Sequence, residues 1–254
     1  VLIPNARNPA TCCKIKRCFG AVTLENCAGM RRTIVFDLDG TLADTSADLI
    51  AAANACFQRL GHGDMLDPAL DASTAFQGGR AMLRLGFERL GEATEALVDA
   101  QYHQLLAAYG EAIDVHTTLY PGAVDAIEAL RKRGDGVAIC TNKPEGLAET
   151  LMQRLGVRDL FGVLIGADTL PVRKPDPLPY IEAVRRVDGA LSRSLLIGDT
   201  VTDRETSRAA GVASVLVTFG PDGRSVEELA PEGLLDHYNE LLAVLEALLP
   251  TQLT

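Results

Sequence analysis

Four consecutive apolar or β-branched residues, Thr33-Ile34-Val35-Phe36, break off at Asp37-Leu38-Asp39-Gly40-Thr41. A short run with no polar face predicts a parallel strand buried from both sides. From Asp44 to about Ala112 the pattern is helical, dominated by Ala and Leu, with breaks at Gly61–Gly63, Pro68 and Gly78-Gly79 and no convincing strand. Beyond Tyr120-Pro121-Gly122 the two periods alternate. A helix over about Ala123–Arg133 precedes the strand Gly136–Cys140, and one from about Pro144 to Leu155 precedes the strand Gly162–Ile165. Helix Leu178–Val187 precedes strand Ser194–Ile197, helix Asp203–Ala210 precedes strand Ala213–Val217, and a terminal helix is expected near Leu234–Leu248.

Strands alternating with helices imply an α/β fold, a doubly wound parallel sheet with Rossmann-like winding. The helical block between the first and second strands then stands outside the sheet as an inserted all-helical cap. The expected layout is a catalytic core of residues 30–43 and 119–254, a cap of residues 44–118, and a leading appendage of residues 1–29. That leading segment has no helical or strand period and lacks the apolar stretch of a secretory signal. It holds four of the six cysteines, but Cys12-Cys13, Cys18 and Cys27 match no common zinc spacing. We expect it to lie outside the fold, with Met30 as the natural start.

Charge divides at the same place. The chain of 254 residues carries 24 basic and 34 acidic residues, a net −10. Residues 1–29 contribute four basic and one acidic residue, leaving 20 and 33, or −13, for the body. An acidic body argues against a general nucleic-acid or anionic-membrane surface. No apolar run reaches the ~18 residues of a membrane span. Two cysteines in the body, Cys56 and Cys140, do not make a disulfide framework, so a reducing, cytoplasmic compartment is expected.

Ligands of doubly wound sheets sit at the carboxyl ends of the strands. Asp37 and Asp39, Thr141-Asn142 and Gly198-Asp199 each follow a predicted strand directly, so all would gather on one rim. Asp37 and Asp39 are two residues apart and point the same way from extended backbone. Asp199 and Asp203 span a strand-to-helix turn that places both near the helix start. Singly, an Asp-Gly is a turn, an Asp before a helix is a cap, and a Lys-Pro means nothing. Several acids on one rim without clustered His or Cys suit a hard, oxygen-loving cation, Mg²⁺ before zinc. Lys174, on a loop stiffened by Pro175 and Pro177, adds an ammonium, a group that beside a carboxylate cluster can offset repulsion and hold a phosphoryl oxygen.

In order, Phe36-Asp37-Leu38-Asp39-Gly40-Thr41-Leu42, Thr141, Lys174 and Gly198-Asp199-Thr200-Val201-Thr202-Asp203 resemble the four motifs of the haloacid dehalogenase superfamily. Thr141-Asn142-Lys143-Pro144 and the helical insertion are most similar to its phosphoglycolate phosphatases. The resemblance implies an Mg²⁺-dependent phosphomonoester hydrolase working through an aspartyl-phosphate, with 2-phosphoglycolate as first substrate. It implies Asp37 as nucleophile and Asp39 as the acid that protonates the leaving oxygen and then activates water. Mg²⁺ would be held by the Asp37 carboxylate, the Asp39 carbonyl and Asp199, with Asp203 completing the acidic shell or orienting Lys174. Thr141, Asn142 and Lys174 would bind the phosphoryl group.

The acid at Asp39 separates the chain from the dehalogenases, which need no leaving-group acid. Residues 44–118 contain no lysine, which separates it from Schiff-base phosphonatases. A sugar-phosphate isomerase similar to β-phosphoglucomutase, or a phosphatase of another small metabolite, stays open as an alternative. Cap residues Gly79 and Arg80 are candidates for substrate choice, Arg80 by gripping a carboxylate. The implied partner is a small phosphorylated metabolite, and the implied assembly is a monomer or homodimer.

Overall fold

In the computed structural model of the protein, which describes residues 31–250, the buried run Thr33–Phe36 is strand β1. Five more strands lie parallel in the same sheet: β4 (Gly136–Cys140), β5 (Val163–Ile165), β6 (Ser194–Gly198), β7 (Ala213–Val217) and β8 (Gly233–Leu235). Their order is β5-β4-β1-β6-β7-β8, with β1 flanked by β4 and β6. Alternate residues of β1 enter different apolar layers. Ile34 and Phe36 join Leu195 and Ile197 on one face, and Val35 joins Ala138, Tyr180 and Leu196 on the other. Helices α5 (Ala123–Lys132), α6 (Glu145–Arg154) and α9 (Leu241–Leu248) feed the first layer. Helix α7 (Leu178–Arg186) and the end of α8 (Val201–Ala210) feed the second. This is the doubly wound parallel sheet that the alternation predicts.

One element departs from expectation. The helix expected near Leu234–Leu248 begins only at Leu241, because Gly233–Leu235 forms β8 beside β7 and Tyr238–Glu240 is a 3₁₀ turn. A three-residue apolar run has no period of its own, so packing against Val215–Val217 decides it.

Helices α1 (Ser46–Arg59), α2 (Ala72–Phe76), α3 (Gly79–Leu90) and α4 (Glu95–Glu111) occupy the insertion. The chain enters and leaves it through a two-stranded antiparallel ribbon, β2 (Ala43–Asp44) against β3 (Thr118–Leu119). The ribbon is pinned by Asp48 in the first turn of α1, which accepts from the Thr117 N–H at 2.9 Å, its hydroxyl at 2.8 Å and the His116 N–H at 3.0 Å. Inside the insertion, Phe57 meets Phe87 edge-on at 5.1 Å between ring centroids. Gly86 lets α3 close on that pair, since a Cβ there would lie 2.1 Å from Phe57 Cζ. The expected leading appendage, with its four cysteines, and the expected start at Met30 lie outside the described residues. No helix among the described residues is long and apolar enough to cross a membrane.

Candidate active site

The three central strands deliver the predicted rim. Parallel register sets Phe36 level with Ile139 and with Ile197, so the residues that follow emerge side by side. Asp37 N–H donates to the Ile197 carbonyl at 2.8 Å, and Thr141 N–H donates to the Ile165 carbonyl at 2.9 Å. The chain leaves β1 toward β4 and β5, then returns to β6 on the opposite side, so the winding reverses here. A cavity of about 730 Å³ lies over these strand ends, walled by Asp37, Asp39, Thr141 and Lys174 below and by Phe76, Gly79, Arg80 and Tyr102 of the insertion above.

Asp37, Asp199 and Asp203 are buried and bring carboxylate oxygens within 4.8 Å of one another. Lys174, itself buried, sets its Nζ 2.6 Å from Asp203 Oδ1 and 3.0 Å from Asp37 Oδ1. The second contact is an ion pair without hydrogen-bond alignment: Asp37 Oδ1 and Asp199 Oδ2 are buried and accept no hydrogen bond. Burial pushes the Asp37 carboxyl up to about 7, against the pull of Lys174 and with added repulsion from Asp203 and Asp39. Burial, reinforced by Asp203 and Asp37, holds Asp199 well above the usual carboxylate range. Burial opposes the Lys174 charge, yet Asp203 and Asp37 outweigh it and hold the ammonium above its ordinary value.

Three carboxylates against one ammonium, with two buried oxygens that accept no hydrogen bond and no nitrogen or sulfur donor in the cluster, fit a hard divalent cation such as Mg²⁺. Neighbouring residues are shaped around this cluster. Gly40 has φ +79°, and a Cβ on it would lie 2.2 Å from Asp199 Oδ2. Thr41 donates its hydroxyl to Asp199 Oδ1 at 3.0 Å.

Asp203 is spent differently. Its Oδ1 takes Lys174, and its Oδ2 accepts from the Thr200 hydroxyl at 2.8 Å, the Thr200 N–H at 3.2 Å and the Asp199 N–H at 3.3 Å. Thr200 and Asp203 form the capping box that starts α8. Gly198 admits this arrangement, because a Cβ there would lie 2.3 Å from Asp203 Cγ.

Asp39 lies at the same rim but outside the acidic triad. Its Oδ1 accepts from the Thr45 hydroxyl at 2.6 Å and pairs with Lys143 Nζ at 2.8 Å. Thr141 Oγ1 accepts from the Lys143 N–H at 3.1 Å, and Asn142 Nδ2 donates to the Lys174 carbonyl at 3.0 Å, tying two loops together. Gly79 opens α3 at the cavity wall. Arg80 lines the cavity with its guanidinium paired to Asp99 and stacked 4.3 Å from the Tyr102 ring centroid. Arg173, exposed in the same wall, makes no side-chain hydrogen bond or ion pair among the described residues.

Sequence reasoning gave no role to Lys143, Thr41, Thr45 or Tyr109. Lys143 Nζ donates to Tyr109 Oη on α4 at 3.0 Å and is nearly enclosed, its side chain 4% exposed. Burial opposes its charge, but Asp39 and Tyr109 outweigh burial and hold the ammonium above its ordinary value. The available signal was position: Lys143 stands two residues after Thr141, on a strand end aimed at the rim.

A family profile described as haloacid dehalogenase-like hydrolase matches residues 31–211. A phosphoglycolate phosphatase of Mesorhizobium japonicum is 36% identical over 218 residues, spanning 83% of this chain and 93% of its own. One from Agrobacterium fabrum is 34% identical, spanning 83% and 91%. Among solved structures, one described as a predicted phosphoglycolate phosphatase from Haemophilus somnus superposes with a TM-score of 0.75 at 25% identity, covering 84% of this chain and 97% of that one.

Proposed function

The chain belongs to the haloacid dehalogenase-like hydrolases, and from that premise we propose that it hydrolyses small phosphomonoesters, 2-phosphoglycolate first. The observation that carries the reading is the pair of buried carboxylate oxygens that accept no hydrogen bond, on Asp37 and Asp199, beside the Lys174 ammonium at a cavity floor. Such a floor holds one phosphoryl group between cationic partners and a carboxylate nucleophile. The relatives' activity supports phosphoglycolate as the substrate.

In this reading Asp37 attacks phosphorus and becomes an aspartyl-phosphate. Asp39 protonates the departing oxygen, then takes a proton from the water that hydrolyses the intermediate. Lys174 and Thr141 hold phosphoryl oxygens, while Asn142 keeps the Lys174 loop in place. The Asp37 and Asp199 carboxylates would hold Mg²⁺, whose charge offsets that of the phosphoryl group. Asp203 orients Lys174. Gly79 and Arg80 meet the substrate's carboxylate end from above.

A panel of phosphate esters, assayed with and without Mg²⁺, tests this. Inorganic phosphate should be released from phosphoglycolate only with the metal and without any bisphosphate activator. Asp37→Asn should lower the rate by more than about 10³-fold with the fold intact by circular dichroism. Isomerised sugar phosphate in place of free phosphate would make the chain a mutase. Near wild-type turnover by the Asn variant would end the covalent mechanism.

A further inference from the structure

Three lysines fall within residues 31–250, and two of them, Lys143 and Lys174, are buried at the site. Lysine is almost never enclosed without a partner. Lys174 has its partners in Asp37 and Asp203. Lys143 is held by Asp39 Oδ1 at 2.8 Å and by the Tyr109 hydroxyl at 3.0 Å, with Nζ also 4.3 Å from the Tyr109 ring centroid. Tyr109 belongs to α4, inside the insertion, and is 1% exposed. Lys143 therefore spans the two layers of the site, with its backbone on the rim and its ammonium bound to both.

Two contacts converge on one oxygen of Asp39, from Lys143 and from Thr45, while Oδ2 receives no hydrogen bond from any described residue. That asymmetry fixes the carboxyl group by one oxygen and leaves the other for the cavity that Asp39 lines. We infer that Lys143, anchored by Tyr109, is a positioning residue for Asp39 that makes proton delivery to the leaving oxygen depend on contact between the insertion and the rim. The inference rests on the proposed acid role of Asp39 and deepens it.

The step balances as follows. The bond from phosphorus to the leaving oxygen breaks with its electron pair on that oxygen, and the Asp39 proton moves to it. The carboxylate left behind lies against the Lys143 ammonium, which offsets its charge. In the second half, water loses a proton to Asp39 as its oxygen attacks phosphorus, and the bond to Asp37 breaks to regenerate that carboxylate. Withdrawing Tyr109 removes one of the two side-chain anchors of Nζ, so an insertion swung away from the rim leaves Asp39 less firmly aimed.

Leaving-group chemistry separates this role from a structural one. Esters of poor leaving groups need the proton, whereas p-nitrophenolate leaves without it. Steady-state kinetics of Lys143→Met and Tyr109→Phe, with Asp39→Asn alongside, should use phosphoglycolate, 2-hydroxyethyl phosphate and p-nitrophenyl phosphate. Lys143→Met should lower kcat/KM, which reports the leaving-group step and not the hydrolysis of the aspartyl-phosphate common to all three esters, by about 10²-fold for both alkyl esters and by less than about 5-fold for p-nitrophenyl phosphate. Tyr109→Phe keeps the ring and removes only the hydroxyl, so it carries the test if the lysine variant does not fold. It should show the same selectivity at about 3- to 10-fold. Equal losses on all three esters overturn the inference, as does a loss confined to phosphoglycolate, which would make Lys143 a carboxylate contact. If Asp39→Asn itself fails to discriminate among the esters, the acid role falls. If it discriminates and the other two variants do not, only the positioning role falls.

Discussion

Asp203 stands four residues beyond Asp199 in a motif where both read as metal ligands, yet its two oxygens are already taken by Lys174 and by the start of α8. Asp199 keeps Oδ2 free. The two acids should therefore fail differently. Asp199→Asn removes a candidate ligand and should weaken Mg²⁺ binding by about 10-fold or more, read by isothermal titration calorimetry. Asp203→Asn releases Lys174 and should lower kcat with a smaller change in Mg²⁺ affinity. Equal weakening of Mg²⁺ binding by both would return Asp203 to the ligand set. The acids were legible in sequence because Asp37, Asp39 and Asp199 come just after predicted strands and Asp203 stands four residues beyond Asp199, in the first turn of a helix. Lys143 was not, since an isolated lysine reads as a solvated side chain. Its burial is produced by Tyr109 from another element, which no local pattern announces.

At the scale of elements, β1, β4, β5, β6 and β7 were readable because strands of a parallel sheet are apolar on both faces and stand out as short runs. The ribbon of β2 and β3 was not, because two residues carry no period and pair only after the insertion has folded back on itself. Helix α3 illustrates how such an element serves the site. Its first turn, Gly79-Arg80, reaches the cavity, while Gly86 further along sits against Phe57 and fixes how closely α3 approaches α1. The Arg80 pair with Asp99 has both side chains about half exposed or more, at 45% and 63%, and such pairs contribute only about 0–1 kcal/mol. A substrate carboxylate can displace Asp99 at that cost. Arg80→Ala should raise KM for phosphoglycolate about 10-fold while leaving KM for p-nitrophenyl phosphate within about 2-fold. Asp99→Asn, which frees the guanidinium, should lower KM for phosphoglycolate. Arg173→Ala is the informative comparison, because Arg173 stands in the same wall with no side-chain partner among the described residues. If it carries the KM effect and Arg80→Ala does not, the carboxylate is read from the Lys174 loop rather than from α3.

The acidic cluster also has a consequence for the whole molecule. Asp37 titrates near 7 in the fold against an ordinary 3.8, and Asp199 is displaced in the same direction. Between those values the native state holds more protons than the unfolded chain, so stability falls as pH rises through the window. Below it both states are protonated, and the charge penalty is absent. Mg²⁺ acts in the opposite sense, because it binds the carboxylates that high pH exposes and must displace protons at low pH. At a hundredfold excess over its dissociation constant a native-state ligand contributes about 2.7 kcal/mol. For a fold of this size that is about 5–10 °C in Tm. Differential scanning calorimetry should therefore show a Mg²⁺-induced rise of that order at pH 8 and less than half of it at pH 5. The chain's net −10 charge gives any divalent cation a weak, general effect as well, which makes Asp199→Asn the necessary control. In that variant the general effect should persist and the pH-dependent increment should fall to about half or less. A rise equal at both pH values, or unchanged in the variant, would place the stabilising metal somewhere other than the rim of β1 and β6.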